Sequence, residues 1–198
     1  TTEKSQGRIT NANFNNFVGK ILEKGIDPVA NSLILIGDAE EGTDIEKQEK
    51  SSLENYTKLD TLAIFKGDKL VGWATEEESI GINLLLNEVD SFYLQIPCND
   101  KNIVLVGNNY KVKNDISKNK INVTMTSEGI INEVNCKINL NDNKIIKEYE
   151  EKAAKKMEEY AKNAIKKAKN LKADVFGYGN QIYHKYPKYY NNIKNWNT

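Results

Sequence analysis

The side chains able to do chemistry in this chain are few and scattered. His184 is the only imidazole. With no second histidine and no cysteine pair near it in sequence, it reads as a surface residue rather than a ligand or a general base. Cys98 and Cys136 are the two thiols. They fit small apolar side chains buried on strands, and a disulfide between them stays open. A metal site would need further ligands. Gly177-Tyr178-Gly179 looks like part of a glycine-rich phosphate loop, but it follows a helix and lacks the Lys-Ser/Thr of such loops. A turn with positive φ that ends the helix explains it better. Glu76, Glu77 and Glu78 could suggest paired carboxylates. Behind Thr75 they fit a capped helix start, where the dipole favours negative charge. No nucleophile–base pair and no cofactor fingerprint emerge, so the chain reads as a non-enzyme without a cofactor or metal. One cluster suits contact instead. Tyr183, Tyr186, Tyr189, Tyr190 and Trp196 crowd the C-terminal end. Tyrosine and tryptophan are rich in contact energy per side chain, and they also serve as ordinary cover for a small core.

The elements that carry these residues follow from periodicity. Residues 62–65 and 70–74 are β-prone runs separated by Lys66-Gly67-Asp68-Lys69, a hairpin signal. The capping box Thr75–Glu78 then opens a helix carrying Ile80, Ile82, Leu84, Leu85 and Leu86, which must be buried over most of its surface. Upstream, Asn13 can cap a short helix with Phe14, Phe17, Val18, Ile21 and Leu22 on one stripe, ended by Gly25 and Pro28. Residues 32–36 read as a buried strand.

Further on, residues 92–96 form a strand ended by Pro97, and residues 103–113 a second. Ile121, Val123 and Met125 mark a third, half-buried strand. Ser127-Glu128-Gly129 reads as a turn into a fourth that carries Ile130, Val134, Cys136 and Ile138. Asn132 interrupts that last face without explanation. Residues 144–172 form a helix about 43 Å long. Its stripe runs Ile146, Tyr149, Ala153, Met157, Tyr160, Ala164, Ala168, Leu171. Its lysine-rich end reads as a solvated face, with nucleic acid or anionic lipid as the sharper alternative. Pro187 separates two short helical turns in the tail. The expectation is an α+β fold: a mixed, mainly antiparallel sheet (hairpin plus meander) with the long C-terminal helix and shorter helices packed on it.

Residues 61–89 resemble the Ger(x)C family, the C subunits of nutrient germinant receptors in endospore-forming bacteria. The family's A-x-F-K-x-D-K-L-V-G pattern reads here as Ala63, Phe65, Lys66, Asp68, Lys69, Leu70, Val71 and Gly72, followed by Glu76, Glu77 and Glu78. Residues 14–28 resemble the helix and Gly-x-x-Pro that lead into the family's C-terminal domain. Asp174-Val175-Phe176-Gly177-Tyr178-Gly179, with Pro187 and Trp196 after it, resembles its closing region. The resemblance implies a non-enzymatic receptor subunit that works in assembly or signal relay, with two integral-membrane partners, the A and B subunits. It also implies a lipid anchor at the spore inner membrane. Neither a secretory signal nor a lipidated cysteine is visible here, so the expectation is a soluble stretch of a longer lipoprotein. Residues 1–198 then form one domain, with 1–12 as a flexible lead-in and 37–60 as an acidic loop. The alternative is a small-ligand module that senses the germinant itself.

Composition agrees with a globular chain. Of the 198 residues, 39% are apolar and 28% charged, and 28 basic residues balance 28 acidic ones. A net charge of zero gives no bulk attraction to nucleic acid. No apolar run approaches the roughly 20 residues that span a bilayer. The charge is not evenly spread. Residues 37–60 hold eight carboxylates against three lysines and read as a solvated loop.

Overall fold

The computed structural model describes residues 7–11, 13–36 and 56–193. Helix α1 (Phe14–Leu22) is capped by Asn13, whose side chain accepts from the Asn16 N–H at 2.9 Å. The predicted sheet resolves into two three-stranded sheets, antiparallel throughout. The first contains β1 (Val29–Ile36), β2 (Tyr56–Lys66) and β3 (Lys69–Trp73) in chain order; the second contains β4 (Phe92–Cys98), β5 (Lys101–Ile116) and β6 (Ile121–Val134). Between the sheets in sequence lies α2 (Glu76–Leu86), and after them comes α3 (Asn143–Leu171). The α+β expectation holds.

Helix α2 is the centre of the molecule. Both halves of the Thr75–Glu78 capping box form, at 3.3 and 2.8 Å. The three glutamates each meet a cation from elsewhere: Glu76 with Arg8, Glu77 with Lys156, Glu78 with Lys167. Ile82 and Leu85 pack into one core with Leu62 and Ile64 of β2 and with Ala161, Ala164 and Ala168 of α3. Ile80 and Leu84 pack into a second core with Phe92, Leu94, Ile103 and Leu105 of the second sheet and with Tyr149, Met157 and Tyr160 of α3. A helix flanked by two cores needs apolar residues around most of its circumference, which is why its sequence shows no single stripe. Helix α3 spans both cores. Its stripe changes from Tyr149, Met157 and Tyr160 to alanines where it closes on α2.

Several expectations change in detail. The turn predicted at 127–129 is absent: β6 runs straight through it, with Glu128 opposite Asn108 and Gly129 opposite Gly107. The register shifts between Asn108 and Lys111, where Asn109 adopts φ +49°. A β-bulge thus lies opposite Ser127, and a second register shift, between Val104 and Leu105, leaves Asn132 without a partner in the ladder. Cys136 and Ile138 fall beyond the strand's end. Pro97 does not end β4, because it sits on an edge strand, where its missing N–H breaks no ladder. The cysteines, read as separate apolar residues, form a disulfide. Residues 56–60, assigned to the acidic loop, begin β2; the rest of that loop lies outside the described residues. Residues 7–10, read as part of a lead-in, are packed down: Asn83 Nδ2 donates to Gly7 O at 2.8 Å, and Ile9 and Thr10 are buried.

The stripe on α1 finds little cover. None of its residues is buried, and Phe14 and Leu22 are 80% and 79% exposed. Phe17 alone makes a ring contact, edge-on to Phe65 at 5.0 Å.

Candidate interaction face

The C-terminal tyrosines ride on two short helices, α4 (Tyr178–Lys185) and α5 (Pro187–Asn192). Their seat is built from two aspartates. Asp27 Oδ1 accepts from the Gly67 N–H at 2.9 Å, and Oδ2 from the Asp174 N–H at 2.7 Å. The Asp27 N–H returns a bond to Asp174 O at 2.8 Å. Asp174 then satisfies the start of α4, accepting from the Tyr178 and Gly179 N–H groups at 3.2 and 2.6 Å. Gly177 precedes α4 with φ +66° and caps it without a side chain. The positive φ expected there is present, but the residue opens a helix rather than ending one.

Gly25 completes the joint. Its carbonyl accepts from the Asn180 N–H at 2.6 Å. Its φ is +72°, and a Cβ there would lie 2.5 Å from that nitrogen, so no other residue fits. The three stretches that carry the family resemblance therefore meet at one place, through Gly25 and Asp27, Gly67, and residues 174–180. Asp27→Ala would orphan two backbone donors at once. We expect it to cost about 2 kcal/mol, read from urea unfolding midpoints, and to speed proteolysis within α4 and α5.

Tyr183, Tyr186, Tyr189 and Tyr190 are each half-buried. The Tyr183 and Tyr190 rings meet edge-on at 5.4 Å. Lys24 Nζ stands 5.4 Å from the Tyr183 ring centre, and Tyr186 lies between Lys118 and Lys185 at 5.8 and 5.5 Å. Tyr189 donates its hydroxyl proton to Asn119 Oδ1 at 2.6 Å. Tyr186, Tyr189 and Tyr190 also rest on the first core. They cover that core with one side and present the other outward. Trp196 lies outside the described residues. His184 is exposed beside Tyr183, as expected of a surface histidine.

The lysines from the β5–β6 turn were not foreseen. Lys118, Lys120 and Lys169 line a cleft of about 390 Å³ with Asn119, Tyr189 and Ile193, over a floor that includes Ile121 and Ile165. Only the α3 and α4 side of this cleft has a compositional signal: from residue 160 to 193 the chain has seven lysines and one carboxylate, Asp174. A second cleft, of about 720 Å³, separates α3 from the second sheet and is lined by Leu94, Leu105, Met125, Ile131, Ile146 and Met157 among others.

Tyr178 points its hydroxyl inward, where it finds no hydrogen-bond partner among the described residues. Burial, with a smaller contribution from the Asp174 charge, pushes its pKa up to about 12. The unfolded chain ionises tyrosine near 10, so this residue's stabilising contribution is complete below pH 10. It is lost as the pH climbs from about 10 towards 12. Tyr178→Phe should leave stability at neutral pH unchanged or raised by about 1 kcal/mol, and should flatten the alkaline decline in melting temperature.

Among the described residues no group of three or more His, Cys, Asp or Glu could hold a metal ion, and no helix is long and apolar enough to cross a membrane. What the geometry defines is an α+β module whose most differentiated feature is a seated aromatic and basic face. Residues 60–198 match the family described as spore germination B3/GerAC like, C-terminal, and the chain belongs to that family. It is 28% identical over 207 residues to spore germination protein KC of Bacillus subtilis (strain 168), covering 98% of this chain and 49% of that protein. The crystal structure of the GerBC protein shares its fold, with a TM-score of 0.60 and 19% identity over 87% of this chain and 51% of that one. The chain thus spans about half the length of these relatives.

Proposed function

We propose that this chain is a non-enzymatic domain of a spore nutrient germinant receptor, acting in receptor assembly or signal relay during germination. In this reading its partners are the integral-membrane A and B subunits, and a lipid anchor elsewhere in the polypeptide keeps it at the spore inner membrane. The face of Tyr183, Tyr186, Tyr189 and Tyr190 is its contact surface. The observation that carries the reading is the Asp27–Asp174 joint, which seats the start of α4, with Tyr186, Tyr189 and Tyr190 resting half-buried on the first core and Tyr183 half-buried against Tyr190. Rigid aromatic side chains lose little entropy on contact. Spores producing the receptor with Tyr183 and Tyr190 changed to Ser should lose receptor assembly and germination, while the purified variant keeps its circular dichroism. Normal assembly and germination in such spores would overturn the proposal.

A second reading rests on the 720 Å³ cleft, whose apolar lining and size suit a small ligand. A thermal-shift screen with amino acids and sugars tests it. A ligand that raises the melting temperature, with Met157→Trp abolishing the rise, would favour it.

A further inference from the structure

We infer that the lysine and tyrosine face around the β5–β6 turn, α4 and α5 docks on the headgroup layer of an anionic phospholipid membrane. This rests on the reading of that face as the contact surface and names the chemistry it meets.

The charge distribution comes first. The chain is neutral as a whole, with 28 basic and 28 acidic residues, yet residues 160–193 carry seven lysines against one carboxylate, two of the seven, Lys162 and Lys167, being paired with Glu158 and Glu78. That carboxylate, Asp174, is 7% exposed and turned to the backbone of α4. The turn between β5 and β6 brings Lys118 and Lys120 to the same end of the molecule, where they share a cleft with Lys169. Lys185 reaches the same turn, donating to Ile116 O at 2.6 Å, and Lys188 is exposed on α5. Lys24 adds a cation at the Tyr183 end. The border carries two carboxylates: Asp115 beside His184 and Lys185, and Glu23 beside Asn180. Beneath the centre lie Asp174, in the wall of the cleft, and Asp27, each bonded to backbone N–H groups, so the charge presented outward there comes from the lysines.

The residue types select the partner. Lysine is a compact point charge on a flexible apolar stem and adapts to a fluid, laterally mobile array of phosphates. Protein interfaces are depleted in lysine and enriched in arginine. The sole arginine, Arg8, pairs with Glu76 on α2. The tyrosines have apolar bodies seated on the core and polar tips, the amphipathic form found at the membrane–water boundary. The ammonium groups of Lys24, Lys118 and Lys185 stack on tyrosine rings within 5.8 Å.

The test uses the chain as it stands, floated with vesicles of phosphatidylcholine alone or mixed with phosphatidylglycerol. We expect partition onto the anionic vesicles, release by salt, and no partition onto phosphatidylcholine. Each lysine near an anionic surface contributes about a fivefold gain in partition. Neutralising three lysines should therefore cost about a hundredfold, and the triple variant Lys118→Glu, Lys120→Glu, Lys169→Glu, which reverses each charge, should lose more than that. The Gln versions provide a milder set if charge reversal disturbs folding, and circular dichroism checks both. Lys144→Glu with Lys147→Glu, at the other end of α3, should bind like the parent. No partition onto anionic vesicles, or partition undiminished in the triple variant, overturns the inference. So does displacement from the vesicles by soluble polyglutamate at equal charge, which would assign the face to an acidic protein. These results leave the receptor-subunit reading standing, because that reading is tested by assembly in spores.

Discussion

Replacing Cys98 and Cys136 by alanine should lower the free energy of unfolding by about 4 kcal/mol. The bridge closes a segment of sequence separation 38, and the loop-entropy relation gives that figure for such a loop. Its placement adds to the argument. Cys98 ends β4, one edge of the second sheet, and Cys136 follows Val134, the end of β6, the opposite edge. The disulfide therefore straps both edges together across β5, beside buried Ile96 and Ile103. Without it the unfolded chain gains freedom and nothing in the folded chain replaces the strap. Urea curves of the parent with reductant and of the double variant should coincide. Both should fall well below the oxidised parent. Coincidence of all three would show that the bridge contributes nothing. The pairing also suits a chain that folds in an oxidising compartment.

The sequence made local structure legible and left long-range pairing hidden. The Thr75–Glu78 box, the Lys66–Lys69 turn and the α3 stripe each depend on residues within a few positions of one another, so their physics is written in short windows. The two-sheet arrangement is not. It arises because α2 is apolar on two sides, and a sheet must cover each. Periodicity places α1 but not its burial: the stripe is amphipathic, and Phe14 and Leu22 are exposed all the same. The tyrosine cluster is visible as composition, while its seat joins Asp27 to Asp174 across 147 positions. Lys118 and Lys120 reach the face only because β5 and β6 form a long hairpin whose turn folds towards α4. No local signal carries that.

Gly81→Ala should destabilise the protein by about 3 kcal/mol, although intrinsic propensity argues the other way. In the interior of a helix, alanine is favoured over glycine by about 1 kcal/mol. At Gly81 packing decides the sign. A Cβ there would lie 2.1 Å from Tyr160 O, 2.6 Å from Tyr160 C and 2.9 Å from the Ala164 side chain. The first two atoms belong to the backbone of α3 and cannot rotate aside. The substitution must push α2 and α3 apart and loosen both cores, since α2 contributes Ile80 and Leu84 to one and Ile82 and Leu85 to the other. Gly19 in α1 supplies the internal control, because nothing lies within 4 Å of a Cβ placed there. Gly19→Ala should raise stability by about 0.5–1 kcal/mol through propensity alone. Opposite shifts in the two urea midpoints would confirm that α2 and α3 touch backbone to backbone. A stabilised Gly81→Ala would show that these helices stand further apart, and the two cores would then lose the element that joins them.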